Sequence, residues 1–177
     1  MFARVIVFVT FFVIATSAIA AEPVRVEIIE YGTYAIEIYK IDQGSDGVMT
    51  ATASKISHLE TTSVIPAKRC VNFGFRFRVE GPPEGSRLTF VTHFPVEVTP
   101  PGASRAISSH SKTRVLVPGI HFQSYGLDFD WEVMPGQWTF ELFDGDRKLA
   151  EKSFLLDKNM PGPLNTDGQT CSPLPTS

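Results

Sequence analysis

The feature that most restricts the fold is a strict alternation of apolar and polar residues in the middle of the chain. The apolar positions are Val71, Phe73, Phe75, Phe77 and Val79, and the residues between them are Asn72, Gly74, Arg76 and Arg78. Successive side chains of a β-strand point to opposite faces of a sheet. The alternation therefore predicts a strand with one aromatic, buried face.

Shorter alternating segments, separated by Gly or Pro, occupy most of the remaining chain. They begin at Val24 and Tyr34, with a change of phase at Ile29–Gly32 that indicates a bulge. Another runs from Leu88 to Phe94, and Pro95 is expected to end its central pairing. About seven short strands predict an all-β domain, an immunoglobulin-like antiparallel β-sandwich, with a small β-barrel as the alternative.

The C-terminal third combines alternation with turn sequences, and it predicts a three-stranded meander. In its first strand, Phe129, Trp131 and Val133 would be buried, and Asp128, Asp130 and Glu132 would form the opposite face, as candidate partners for Arg76 and Arg78. Pro135-Gly136 is typical of a type II turn. Trp138, Phe140 and Leu142 continue the buried face, and Asp144-Gly145 favours a type I′ hairpin leading to the strand around Lys148–Leu156.

The first twenty residues have the pattern of a secretory signal peptide. Arg4 precedes an apolar run from Val5 to Ile14, and small residues end at Ala20. The run is too short for the usual ~20 apolar residues of a membrane span. We therefore expect a signal peptide at 1–20, a β-sandwich domain at 21–157 and a Pro/Gly/Ser-rich tail at 158–177, in a protein that is periplasmic or secreted.

Export also determines how the two cysteines are interpreted. An even number of cysteines in an oxidising compartment favours a disulfide, here between Cys70 and Cys171. The formal net charge is −3 with both signs interspersed, so the chain lacks the basic stripe of a nucleic-acid-binding protein.

Candidate functional residues are few. The carboxylates of Asp128, Asp130 and Glu132 suggest a cation site, although a solvated strand face explains them more simply. Two segments, Pro100–Thr113 and Gly119–Gly126, are predicted to be exposed loops suited to binding. The candidate binding residues in them are His110, His121, Phe122 and Tyr125.

Several joined motifs resemble the bacterial domain-of-unknown-function family 3859. They are Ile65–Lys68, Phe73–Gly81, His93, Asp130–Glu141 and Lys148–Phe154. The resemblance covers about Tyr31 to Leu156 and implies a small, often exported bacterial β-rich domain without an established activity. The family pattern would place a proline directly after the histidine, whereas this chain has His93-Phe94-Pro95.

The sequence contains neither a G-x-S-x-G elbow nor a histidine pair with metal-ligand spacing, so we predict no catalytic residues and no cofactor. The favoured hypothesis is an exported, non-enzymatic binding or accessory module whose partner is a protein or another envelope ligand. One alternative is a protease-inhibitor-like domain that uses a rigid loop. The other is a metal-binding or enzymatic domain that uses the histidines, including His58, and the predicted acidic face.

Overall fold

The computed structural model describes residues 23–43, 49–81, 87–98, 106–114 and 119–162, and these residues form two packed β-sheets. The strands are β1 (Arg25–Gln43), β2 (Met49–Glu60), β3 (Val64–Pro66), β4 (Asn72–Glu80), β5 (Arg87–Val98), β6 (Ala106–Arg114), β7 (Gly119–Gly126), β8 (Gly136–Asp144) and β9 (Arg147–Asp157). One sheet has the order β2-β1-β4-β7 and the other β3-β9-β8-β5-β6. The predicted sandwich is confirmed, with nine strands in place of about seven, and the barrel alternative is wrong.

Antiparallel pairing joins every described neighbour except β3 and β9, which are parallel. A single short 3₁₀ turn, Asp130–Glu132, lies between β7 and β8. Among the residues described, none forms a helix long and apolar enough to cross a membrane.

The core lies between β4 of one sheet and β8 and β9 of the other. Phe73, Phe75 and Phe77 on β4 have no exposed surface, as the alternation predicts, and neither does Trp138 on β8. The ring of Phe73 meets that of Trp138 edge-on, with 5.6 Å between the centroids. Since burying one such side chain contributes about 1.5–3 kcal/mol, this aromatic layer contributes substantially to stability.

Strand β1 bends where the sequence changes phase. Its pairing with β4 shifts between Ile28 and Glu30, which confirms the predicted bulge. Gly32 follows with a φ of 138°, and a Cβ there would lie 1.8 Å from the carbonyl oxygen of Glu60 on β2. Only glycine fits at this position, because the neighbouring strand passes too close for a side chain.

The two arginines on the outer face of β4 have partners different from those predicted. Arg78 donates to the Glu27 carboxylate at 2.7 Å, and Arg76 lies 3.4 Å from Glu30. Both glutamates belong to β1, which is the neighbour of β4 in the sheet. The expected pairing with the acidic residues at 128–132 is wrong, because that segment is not a strand beside β4.

Two predicted loops are largely strands at sheet edges. Most of Pro100–Thr113 belongs to β6, which pairs with β5, and Gly119–Gly126 is β7 throughout. Neither has a plain apolar alternation, because an edge strand obtains its backbone hydrogen bonds from one neighbour and need not bury a full face. Residues 100–105 of the first segment lie outside the described part.

The β8–β9 hairpin is confirmed, but its turn is displaced by one residue. Asp144 pairs with Arg147, so Gly145 and Asp146 are the central residues. Gly145 has a φ of 59°, whereas the φ of Asp146 is not positive. Glycine at the first central position alone is the pattern of a type II′ turn, so the predicted type I′ turn at Asp144-Gly145 is wrong.

Cys70 lies in the turn that precedes β4, with a φ of 64°, and is not a free cysteine. Its predicted partner Cys171 and the predicted signal peptide at 1–20 lie outside the described residues. The bridge and the signal peptide therefore stay predictions.

Candidate functional site

The candidate site is the outer edge of β7, the last strand of the four-stranded sheet. On one side β7 pairs with β4 along its whole length, from Asn72 opposite Gly126 to Val79 opposite Gly119. On the other side, no strand within the described ranges continues the ladder. Half of the backbone N–H and C=O groups of an edge strand point away from its neighbour, and they are ready to pair with another extended chain.

The sequence of β7 leaves this edge unprotected. Natural edge strands usually carry a charge, a proline or a bulge, or are very short, and each device hinders pairing with another chain. The edge strand β2 has Lys55 and register shifts, β3 has three residues and ends in Pro66, and β6 carries Lys112. By contrast, β7 reads Gly-Ile-His-Phe-Gln-Ser-Tyr-Gly and has neither a proline nor an Asp, Glu, Lys or Arg.

The side chains of β7 alternate between the two faces of its sheet. His121 stacks on the core residue Phe77 with 5.4 Å between ring centroids, and Tyr125 packs 4.9 Å from Trp138. Phe122 lies opposite Arg76 on the outer face, and Ile120 on the same face is 62% exposed. Three predicted binding residues thus share this strand, but two of them face the core.

The fourth predicted binding residue, His110, is on β6 in the other sheet, where it lies opposite Val91. Its side chain is outside the described part of the structure. His93 lies on β5 of the same sheet and contacts the carboxylate of Glu141 at 2.7 Å. Since His121 belongs to the four-stranded sheet, the structure does not gather the histidines into one site.

A buried carboxylate supports the end of β7. Glu132 is 7% exposed, and its Oε2 accepts hydrogen bonds from the backbone N–H groups of Asp128 at 2.7 Å and Phe129 at 2.8 Å. The Tyr125 hydroxyl donates to Oε1 at 3.1 Å. Burial raises the pKa of Glu132, although these hydrogen bonds oppose the rise.

This arrangement replaces the predicted acidic strand face. Residues 130–132 form a 3₁₀ turn, so Asp128, Asp130 and Glu132 do not line one side of a strand. The Asp130 side chain is 90% exposed and lies 3.7 Å from Arg69, whereas Glu132 points inward. Within the described ranges, no three His, Cys, Asp or Glu side chains form a group that could hold a metal ion.

Two aromatic side chains flank the end of β7. Phe129 and Trp131 stack with 6.2 Å between centroids and 12° between ring planes, and Phe129 is 43% exposed. Trp131 is half-buried, so its predicted place in the core is wrong, and Trp138 alone of the two tryptophans is fully buried. The 3₁₀ turn at Asp130–Glu132 therefore adds exposed apolar surface a few residues beyond the C-terminal end of β7.

The exposed residue Ile120 was not among those predicted from the sequence. A signal for it exists, because Ile120 stands in a run of eight residues without charge or proline that begins and ends in glycine. A run of this composition is typical of an edge strand that lacks the charges and prolines which hinder pairing with another chain.

Comparisons with known proteins identify a family and a crystal structure that are similar to this chain. The model of a family described as "Domain of unknown function (DUF3859)" matches residues 23–156. The crystal structure of an immunoglobulin-like protein from Pseudomonas aeruginosa is similar, with a TM-score of 0.59 and 28% identity, over 78% of this chain and 99% of that chain. No curated protein matches. The sandwich is therefore immunoglobulin-like, as the sequence predicts.

Proposed function

We propose that this chain, which belongs to the family of domains of unknown function DUF3859, is an exported, non-enzymatic binding module that captures an extended segment of an envelope protein along β7. The observation that carries the proposal is the uncharged, proline-free edge of this strand. An extended peptide adds to such an edge by forming backbone hydrogen bonds, and its alternate side chains provide specificity.

The surroundings of β7 favour an apolar side chain in the bound segment. Ile120 is exposed on the outer face, and the ring of Phe129 is exposed beyond the strand's C-terminal end. Burial of each on binding adds to the backbone hydrogen bonds, because apolar area removed from water contributes about 25 cal/mol per Å². We therefore expect an extended partner segment with apolar residues and no cluster of charges.

Export is part of the proposal because the N-terminal sequence has the pattern of a signal peptide. It would place the domain among envelope proteins, and its oxidising surroundings favour the Cys70–Cys171 bridge. The protease-inhibitor alternative has less support, since most of its reactive-loop candidate is the edge strand β6.

The test compares two charged variants of exposed apolar residues on opposite sheets. Ile120→Lys places a cation on the β7 edge strand, and Leu155→Lys, at a position 50% exposed on β9, is the matched control. Proteins captured from envelope extract are identified with the wild-type domain, and amide hydrogen exchange of each complex is then measured. We expect protection of residues 119–126 on binding, and loss of partner and protection in Ile120→Lys alone.

Two results would contradict the proposal. One is protection that falls elsewhere, or equal partner recovery by the two lysine variants. The other is a wild-type dimer that Ile120→Lys converts to a monomer while no other partner is captured, because β7 would then serve self-association.

A further inference from the structure

A second feature lies on the outer face of the four-stranded sheet, away from the free edge of β7. Glu30 and Tyr34 from β1, His58 from β2, Arg76 from β4 and Phe122 from β7 form a group here called the Tyr34 cluster. The Tyr34 ring lies 5.2 Å from that of His58 and 4.7 Å from that of Phe122. Four strands therefore build one polar and aromatic site.

Two oxygen atoms in the cluster are buried and have no hydrogen-bond partner among the described residues. They are Glu30 Oε1 and Tyr34 Oη, and no other described side chain has such an atom. Tyr34 is 3% exposed. An unpaired buried polar group is destabilising, so two in one place require an explanation.

The hydroxyl of Tyr34 faces the Glu30 carboxylate. Burial is the main cause that raises the pKa of Tyr34, and the negative charge and the hydrogen-bonding capacity of the nearby Glu30 carboxylate add to it. The two groups are therefore close together, yet neither Tyr34 Oη nor Glu30 Oε1 meets a described partner at hydrogen-bond distance and angle, so a third group can bond to both.

Some of the other polar atoms of the cluster already have hydrogen-bond or ion-pair partners within the fold. Arg76 Nη2 donates to the Ile56 carbonyl at 2.9 Å, and its Nε lies 3.4 Å from Glu30 Oε1. His58 Nε2 lies 3.2 Å from the Tyr31 carbonyl, so in the neutral ring this nitrogen carries the proton. His58 Nδ1 is then an acceptor 3.8 Å from Glu30 Oε2, and the cluster has more acceptors than donors.

From these contacts we propose that the Tyr34 cluster is a binding site for a hydroxyl group of a neutral, sugar-like ligand. One hydroxyl can donate its proton to Glu30 Oε1 and accept the proton of Tyr34 Oη at the same time. The ring of Phe122 offers an apolar wall for the C–H groups of such a ligand.

Charged ligands fit less well. A carboxylate would meet the like charge of Glu30, and an ammonium group would meet Arg76 and has no lone pair to accept from Tyr34. The pair of opposite charges leaves the cluster neutral when His58 is neutral, which suits a neutral ligand.

The charged and imidazole side chains of the cluster are partly exposed to solvent. Those of Glu30 and His58 are 29% and 24% exposed and that of Arg76 is 32% exposed, whereas the Tyr34 hydroxyl is buried. In the proposed complex, a ligand hydroxyl reaches the buried pair by displacing the Arg76 side chain, whose Nε lies 3.4 Å from Glu30 Oε1.

The test measures amide chemical shifts during titration with D-glucose and N-acetyl-D-glucosamine, and with D-glucuronate and D-glucosamine as charged analogues. Tyr34→Phe removes the proposed hydroxyl contact, and Tyr31→Phe removes a hydroxyl from the other face of the same strand as the matched control. We expect a neutral sugar to shift the amides of Glu30, Tyr34 and Arg76. Binding should weaken roughly 3- to 10-fold in Tyr34→Phe, as for the loss of one hydrogen bond, and not in Tyr31→Phe.

The melting temperature provides a second readout that needs no ligand. Because the Tyr34 hydroxyl has no hydrogen-bond partner in the fold, Tyr34→Phe should melt at or above the wild-type temperature. A fall of several degrees would mean that the hydroxyl is already bonded. Absence of shifts with both neutral sugars at millimolar concentrations, or equal binding by Tyr34→Phe and the wild type, would show that the cluster holds only water.

Discussion

Replacing Glu132 with alanine is expected to be among the most damaging single changes to this domain. Its carboxylate accepts three hydrogen bonds, from the backbone N–H groups of Asp128 and Phe129 and from the Tyr125 hydroxyl. Alanine leaves all three donors without their acceptor. No cation of the described residues contributes to the pKa of Glu132, yet the effect of alanine should be large, because three donors lose their acceptor.

The size of the effect follows from which donors water can reach. All three bonds lie in part-buried positions, but Phe129 is the most exposed of the three donor residues, so its N–H is the donor that water reaches most readily. Two orphaned groups at about 1–3 kcal/mol each predict a loss of roughly 2–6 kcal/mol in the free energy of unfolding. For a domain of this size that is a fall of roughly 8–24 °C in melting temperature.

Urea denaturation at pH 7, followed by tryptophan fluorescence, measures this loss. Trp138 is fully buried and 4.9 Å from Tyr125, so its emission reports on the affected region. Glu132→Gln is the matched control. Its amide oxygen can accept from both backbone N–H groups, and its NH₂ can donate to the Tyr125 oxygen, so we expect a change of less than about 1.5 kcal/mol.

Two outcomes would refute this role for the Glu132 carboxylate. The first is a Glu132→Ala variant that unfolds within about 0.5 kcal/mol of the wild type, the range of an ordinary surface substitution. The second is a Glu132→Gln variant as unstable as Glu132→Ala. That result would mean that the negative charge, and not the hydrogen-bond geometry, holds the turn.

Two further predictions concern pH and the cysteines. Burial raises the folded-state pKa of Glu132, so the folded protein takes up this proton more readily than the unfolded chain, and stability should rise as the pH falls from neutral toward 4.5. For Glu141, hydrogen bonds from Lys148 and His93 outweigh the raising effect of burial and lower the pKa, so stability should fall again below pH 4.5. Thermal melts across pH 3–8 check both: Glu132→Gln should reduce the rise toward pH 4.5 and keep the acid limb. Part of the rise should remain, because burial also raises the pKa of Asp128, and an undiminished rise in this variant would contradict the assignment to Glu132. Under oxidising conditions, Cys171→Ser should lower the unfolding free energy by roughly 2–5 kcal/mol, and an excess of reductant should remove the difference. Equal stability of the oxidised proteins would contradict the bridge.

The central strands were predictable from sequence because both of their faces have a clear chemical character. In β4 and β8, fully buried aromatic residues alternate with polar residues, as the sandwich requires. The edge strand β6 has no such alternation, since the hydrogen bonds from β5 hold it in place and its composition is mostly polar. A prediction from periodicity alone therefore assigns the residues of β6 to a loop.

The strand predicted for residues 128–133 is wrong for a different reason. Its alternation of acidic and aromatic residues satisfies the strand pattern, but Glu132 reaches back to the N–H groups of Asp128 and Phe129 and closes a turn. A local side-chain bond thus competes with the sheet, and period two cannot reveal it. The Tyr34 cluster was equally hidden, because Glu30, His58 and Arg76 come together only after the register of three strands is set.

The parallel pairing of β3 with β9 has a consequence for how the domain folds. Residues 64–66 pair with residues 155–157, so the partner of β3 comes at the very end of the domain. Parallel neighbours cannot be joined by a tight hairpin, and contacts so distant along the chain form slowly because a large loop must close first. During synthesis, β3 cannot pair until β9 has emerged. The five-stranded sheet is therefore completed in a late step, and the rate of that step should depend on the C-terminal hairpin.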